Sequence, residues 1–150
     1  MKSITWSPQE GNDAGKVFII TRMPAFTADR WARNVVRALA RSGARTPREA
    51  LESGIAGLSG QSMALFGHLT DDECDAAFQG LMNCVKIQRD PKTEPAPLIE
   101  ADIQDANTLS ELRTEAFKLN MDFFKAAIYQ IYPLIAALRI PTMGENPPAA

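Results

Sequence analysis

Plotted at 100° per residue, the apolar positions between Asn107 and Ile128 gather on one side of a helix. Leu109, Leu112, Ala116, Phe117, Leu119, Phe123, Phe124, Ala127 and Ile128 occupy one half of the circumference. Glu111, Thr114, Glu115, Lys118, Asp122 and Lys125 occupy the other. An apolar face this wide must be covered, by the chain's own core or by a partner. Tyr129, Ile131, Tyr132, Leu134, Ile135, Ala136 and Leu138 continue the apolar run to Ile140 almost all round, with a kink or break predicted at Pro133.

The preceding residues change period several times. Ser3 to Ser7 alternates weakly around Ile4 and Trp6, and Lys16 to Thr21 is rich in β-branched residues, which predicts an N-terminal β-hairpin ending at Met23-Pro24. A helix is expected from Thr27 as N-cap, with Trp31, Ala32, Val35, Val36 and Leu39 inward and Gly43 as C-cap. Thr46-Pro47-Arg48-Glu49 opens a short helix to about Leu58, and Ser62 to Phe66 reads as a further helical turn. Thr70 to Glu73 is a second capping box, starting a helix that turns Cys74, Ala77, Phe78, Leu81 and Met82 inward and ends near Asn83. Val85 to Arg89 suits a half-exposed strand, and Leu98-Ile99 could pair back with it across a proline-rich loop. The fold class expected is mainly α: one small helical domain over 1–140 with one or two short β-hairpins, followed by a disordered tail over 141–150.

Composition adds one asymmetry. The net charge of −2 is no generic polyanion binder's, but residues 1–70 carry nine Lys/Arg against five Asp/Glu, and residues 71–150 seven against thirteen. Arg30, Arg33, Arg37 and Arg41 line one side of the first helix, as a solvated face, a surface for an acidic protein partner or a nucleic-acid contact. Against the last, no aromatic or Gly-rich binding segment interleaves with them.

Catalytic chemistry finds little footing. Cys74 and Cys84 lack CxxC spacing and the only histidine is His68, a poor metal set that suggests thiols in a reducing compartment. The acids Asp71, Asp72 and Glu73 sit where a helix N-terminus favours negative charge, without the spacing of a calcium loop. No phosphate-binding glycine motif, no nucleophile–base set and no signal peptide is recognisable, and the apolar run from Ala126 to Ile140 falls short of the ~20 residues that span a bilayer. A non-enzymatic cytoplasmic protein without cofactor or metal is the expectation.

The order of elements resembles a known family. A strand leading into MPAFTADRWARNVVRALARSG (Met23 to Gly43) is similar to the opening of phage tail assembly chaperones. Cys84-Val85, the proline-rich loop, Leu98 to Ile103, Leu112-Arg113 and Glu115-Ala116-Phe117 resemble the family's later half, with a small strand pair before an E-D-I turn and a helix. The likeness runs from about Val17 to Phe124, and the apolar extension from Ala126 to Ile140 departs from it. The resemblance implies a protein of the bacterial host cytoplasm that binds the long helical tape measure protein, keeps it soluble and recruits tail tube protein. Many such proteins also exist as a longer frameshifted form. The candidate partner-binding residues are Phe117, Phe123, Phe124, Ile128, Tyr129, Ile131, Tyr132, Leu134, Ile135 and Leu138, although such a stripe also suits plain core. Homo-oligomers remain open. The rival readings are a tail completion or connector component of the particle, and a nucleic-acid-binding adaptor that uses the four arginines.

Overall fold

The computed structural model describes residues 2–41 and 66–131. Strands β1 (Ser3–Trp6) and β2 (Val17–Thr21) form the N-terminal hairpin, followed by helix α1 (Ala25–Arg41). After a 3₁₀ turn at Phe66–His68 come α2 (Asp71–Met82), β3 (Val85–Gln88), β4 (Ala96–Pro97), a second 3₁₀ turn at Glu100–Asp102 and α3 (Ala106–Leu119). Residues 121–131 are again helical and are called α4. The fold is mainly helical with one small antiparallel sheet.

The two expected hairpins are joined. β2 pairs with β3, Phe18 opposite Ile87 and Ile20 opposite Val85, giving a single sheet in the order β1-β2-β3-β4. Those four side chains are buried, while Ile19 and Lys86 point to the other, more open face, the alternation of a sheet covered on one side. The last strand is Ala96–Pro97 rather than Leu98-Ile99, with Ala96 opposite Ile87 and Pro97 opposite Lys86. A proline is tolerated there because β4 is the outer strand of the sheet.

Helix α1 starts two residues before the expected cap. The amide of Ala28 already donates to the Pro24 carbonyl (2.8 Å), so Thr27 lies inside the first turn and is no cap. Trp31, Ala32, Val35, Val36 and Leu39 are buried as the pattern predicted, with Ala28 and Ala38 buried beside them. The Thr70 capping box forms in full: Thr70 Oγ1 accepts from the Glu73 amide (3.2 Å), and Glu73 Oε1 accepts from the Thr70 amide (3.0 Å). The capping box at Thr46, the cap at Gly43, the helix to Leu58 and the tail over 141–150 lie outside the described residues.

Aromatic rings fill the centre. Phe117 sits 6.1 Å from Trp31, 6.0 Å from Phe66 and 4.9 Å from Phe124, centroid to centroid, in edge-on arrangements that suit ring quadrupoles. Trp31 Nε1 donates to the Ala77 carbonyl (3.0 Å), tying α1 to α2. Gly80 makes that approach possible, since a Cβ there would lie 2.5 Å from Trp31 Cδ1. Gly80→Ala should therefore destabilise by up to about 2 kcal/mol, because an overpacking cost of about 1–3 kcal/mol outweighs the ~1 kcal/mol helix-propensity gain. A lowered melting temperature with altered Trp31 fluorescence is the expected reading; a raised one would mean the ring moves aside freely.

Candidate interaction surfaces

The amphipathic stretch from Asn107 to Ile128 is two helices. Asn120 (φ −106°, ψ 12°) ends α3, and its carbonyl accepts from the Phe123 (3.1 Å) and Phe124 (3.3 Å) amides, starting α4. Its side chain is fully buried, with Oδ1 accepting from the Met23 amide (3.1 Å) and Nδ2 donating to the Ala116 carbonyl (2.9 Å) and approaching Cys84 Sγ (3.7 Å). The break thus satisfies the Met23 amide, two residues past the end of β2, and fastens the helix corner to the sheet. Asn120 carried no sequence signal, because its partners lie far along the chain.

The break decides which candidate partner residues remain accessible. Phe117, Phe124 and Ile128 are enclosed in the core, together with Leu112, Ala116, Met121 and Ala127. Phe123 and Ile131 are half-buried, and Arg22 stacks over the Phe123 ring (4.7 Å). Tyr129 is 44% exposed. Tyr132, Leu134, Ile135 and Leu138 lie outside the described residues.

The four arginines do share one face of α1. Arg33 pairs with Asp29 one turn back (2.9 Å), and Arg41 pairs with Glu73 on α2. The Thr70 amide and then Arg41 hold the Glu73 carboxyl below its ordinary range. Arg30 and Arg37 are exposed and form no ion pair among the described residues. Alongside runs an open groove of about 320 Å³ between α1 and α2, with Trp31, Val35, Ala38, Leu69 and Ala77 in its wall and Asn34, Arg37, Arg41 and Glu73 at its polar positions.

A second buried polar cluster, also without a sequence signal, closes the β1–β2 loop onto the turn before α3. Asp13 is fully buried; its carboxylate accepts from Lys16 Nζ (2.8 Å) and from the amides of Gln104 (3.0 Å) and Asp105 (2.9 Å). Asp105 reciprocates, accepting from the Asp13 amide (3.1 Å) and Asn12 Nδ2 (2.9 Å). Lys16 also reaches the Asp102 carbonyl (2.8 Å), and the Asp102 carboxylate takes Arg89 (2.5 Å) and the Ile99 amide (2.8 Å). Gly11, at φ +90°, lets the loop pass where a Cβ would meet Asp105 Oδ2 at 2.6 Å. Burial alone would raise the Asp13 carboxyl, but Lys16 and the two amides outweigh it and hold it far below the ordinary carboxylate range. Asp102 is lowered likewise, its burial outweighed by the Ile99 amide and Arg89.

The reactive side chains are quiet. Burial pushes the Cys84 thiol up to about 11, against the opposing Asn120 hydrogen bond, and burial also raises Cys74. His68 is exposed on the first 3₁₀ turn. Among the described residues no group of three or more His, Cys, Asp or Glu is placed to hold a metal, and no helix is long and apolar enough to cross a membrane. Arg113 lies over the Phe78 ring (4.0 Å) with its Nε buried and without a hydrogen bond; burial lowers its guanidinium from the ordinary value.

Compared with known proteins, residues 14–131 match a family model described as phage tail assembly chaperone protein, TAC. No curated protein and no solved structure matches. The matched span begins just before β2 and ends with the last described turn of α4, so it takes in the Asn120 corner and the whole arginine face.

Proposed function

The chain belongs to the phage tail assembly chaperone family, and from that premise we propose that it binds the tape measure protein in the host cytoplasm, without catalysis, and assists assembly of the tail tube. The family match carries this reading; the distribution of apolar surface says where to look. The inner faces of α3 and α4 are filled by the domain's own core, so they have nothing left to offer a client. The outer side of α4 differs: Tyr129 is open, Ile131 is half-covered, and the sequence stays apolar through Tyr132, Leu134, Ile135 and Leu138. An apolar sequence next to the open side of α4 suits reversible capture of apolar helical stretches of a client.

The test is co-expression with the tape measure protein, comparing the intact chain, no chain, and a chain ending at Ile131. Ending there retains Ala127 and Ile128, which are core residues, and a thermal melt of the shortened chain checks that it is folded. The intact chain should keep the client soluble and the shortened one should not. If the shortened chain works equally well, capture lies elsewhere on the domain. If the client stays insoluble throughout and this protein is recovered in purified particles, it is a structural component of the tail instead.

A further inference from the structure

Helix α1 presents a second surface of different chemistry, and its reading does not depend on the C-terminal one. Phe26, Arg30, Arg33, Asn34, Arg37 and Arg41 recur at helical spacing, so they fall within roughly 100° of the circumference and span about 22 Å of the axis. Phe26 is 90% exposed, the most open large apolar side chain among the described residues. Arg30, Asn34 and Arg37 are exposed too, and the two arginines have no carboxylate among the described residues. Arg33 and Arg41 are already neutralised by Asp29 and Glu73. Beside this stripe lies the groove, with the half-buried Leu69 at its wall and the buried Val35, Ala38 and Ala77 at its floor. The result is a straight edge with an aromatic anchor at one end, two positive charges about 10 Å apart along the axis that no described residue matches, and an apolar slot alongside.

We propose that this face of α1 docks an acidic amphipathic helix of another protein, its carboxylates meeting Arg30 and Arg37 and its apolar side chains meeting Phe26 and the groove. Charge complementarity selects the occupant. A second copy of this chain does not supply it: the exposed acids Asp71, Asp72 and Asp75 crowd into the start of α2, and Glu115 is taken by Lys118. Glu111 and Asp122 are also exposed but stand on α3 and α4, on either side of the Asn120 break, so no single described helix repeats free carboxylates over the length of the arginine stripe. Nucleic acid fits less well, because the chain as a whole carries a net charge of −2 and a bare phenyl at the end of the stripe gains nothing from phosphates. A protein helix satisfies both the guanidinium pair and the ring.

The probe is a labelled synthetic amphipathic helix of about 20 residues, with glutamates spaced i, i+4, i+7 and i+11 beside leucines. It is titrated with the full chain by fluorescence anisotropy, next to a version with lysine for each glutamate and a DNA duplex of similar length. The glutamate helix should bind at least about tenfold more tightly than the lysine helix and the duplex, with affinity falling as salt rises. The double variant Arg30→Glu, Arg37→Glu and the single variant Phe26→Ala change only exposed side chains, so each should keep the parent melting temperature and weaken binding by about tenfold or more. Equal binding of the two peptides, tighter binding of the duplex, or either variant staying within about twofold of the parent overturns the proposal. None of these outcomes bears on client capture by the C-terminal segment.

Discussion

Phe117→Ala is expected to lower the stability of the domain by about 3–5 kcal/mol, a fall in melting temperature on the order of 10–15 °C for a chain of this size. The ring is fully buried and touches Trp31, Phe66 and Phe124, so its removal leaves a void walled by three rigid rings drawn from α1, the first 3₁₀ turn and α4. Such a void collapses poorly, which places the cost toward the upper part of the usual range. Tyr129→Ala is the matching control. Tyr129 is 44% exposed, so its loss should cost under about 1 kcal/mol and any deficit it causes should appear in client solubility instead. Thermal melts of the two variants separate core from the proposed client surface within one apolar pattern. Equal stability losses would mean that α4 packs on all sides.

Asp13→Ala should cost about 2–4 kcal/mol. It strands the amides of Gln104 and Asp105 in a buried turn and leaves Lys16 without its counter-ion. The estimate sits below the usual range for a broken buried ion pair because the Lys16 side chain is 30% exposed and can take water. The same group sets an acid limit. Its carboxyl lies lower in the folded chain than in the unfolded one, so on acidification the unfolded chain binds the proton first. The stabilisation is complete at neutral pH, starts to decline as pH falls into the ordinary carboxylate range near ~4, and is lost as pH falls through the folded value. Asp102, lowered in the same direction, adds to the effect. Denaturant melts of the parent and the variant should converge as pH is lowered from about 5 toward 2; a constant gap between them would show that the loop is held by something other than this carboxylate.

Both effects concern the same architectural problem, which is how a short N-terminal hairpin is kept on a helical domain. One fastening joins the β1–β2 loop to the turn before α3 through Asp13 and Asp105, and the other joins the end of β2 to the α3–α4 corner through Met23 and Asn120. Between them Phe18 and Ile20 face the helical core. The sheet is thereby positioned at both ends, and α4 leaves the corner in a direction set by the hairpin.

The sequence by itself determined whatever depends on near neighbours. The Thr70–Glu73 capping box, the β-branched run of β2, the alternation of β3, the inward stripe of α1 and the apolar side of α3 all follow from residues within one or two turns of each other, where period and local hydrogen bonding dominate. The tertiary structure alone decided what depends on partners far apart in the chain. Asn120 reads as an ordinary polar residue inside a helical period, yet it divides that period because a buried amide 97 positions away requires its oxygen. Asp13 reads as a loop residue and becomes the most enclosed carboxylate among the described residues, because amides 91 and 92 positions away converge on it. The union of two hairpins into one sheet, and the division of the C-terminal apolar stripe between core and open surface, have the same origin. Periodicity states that a side chain must leave water; only the folded chain states which groups receive it.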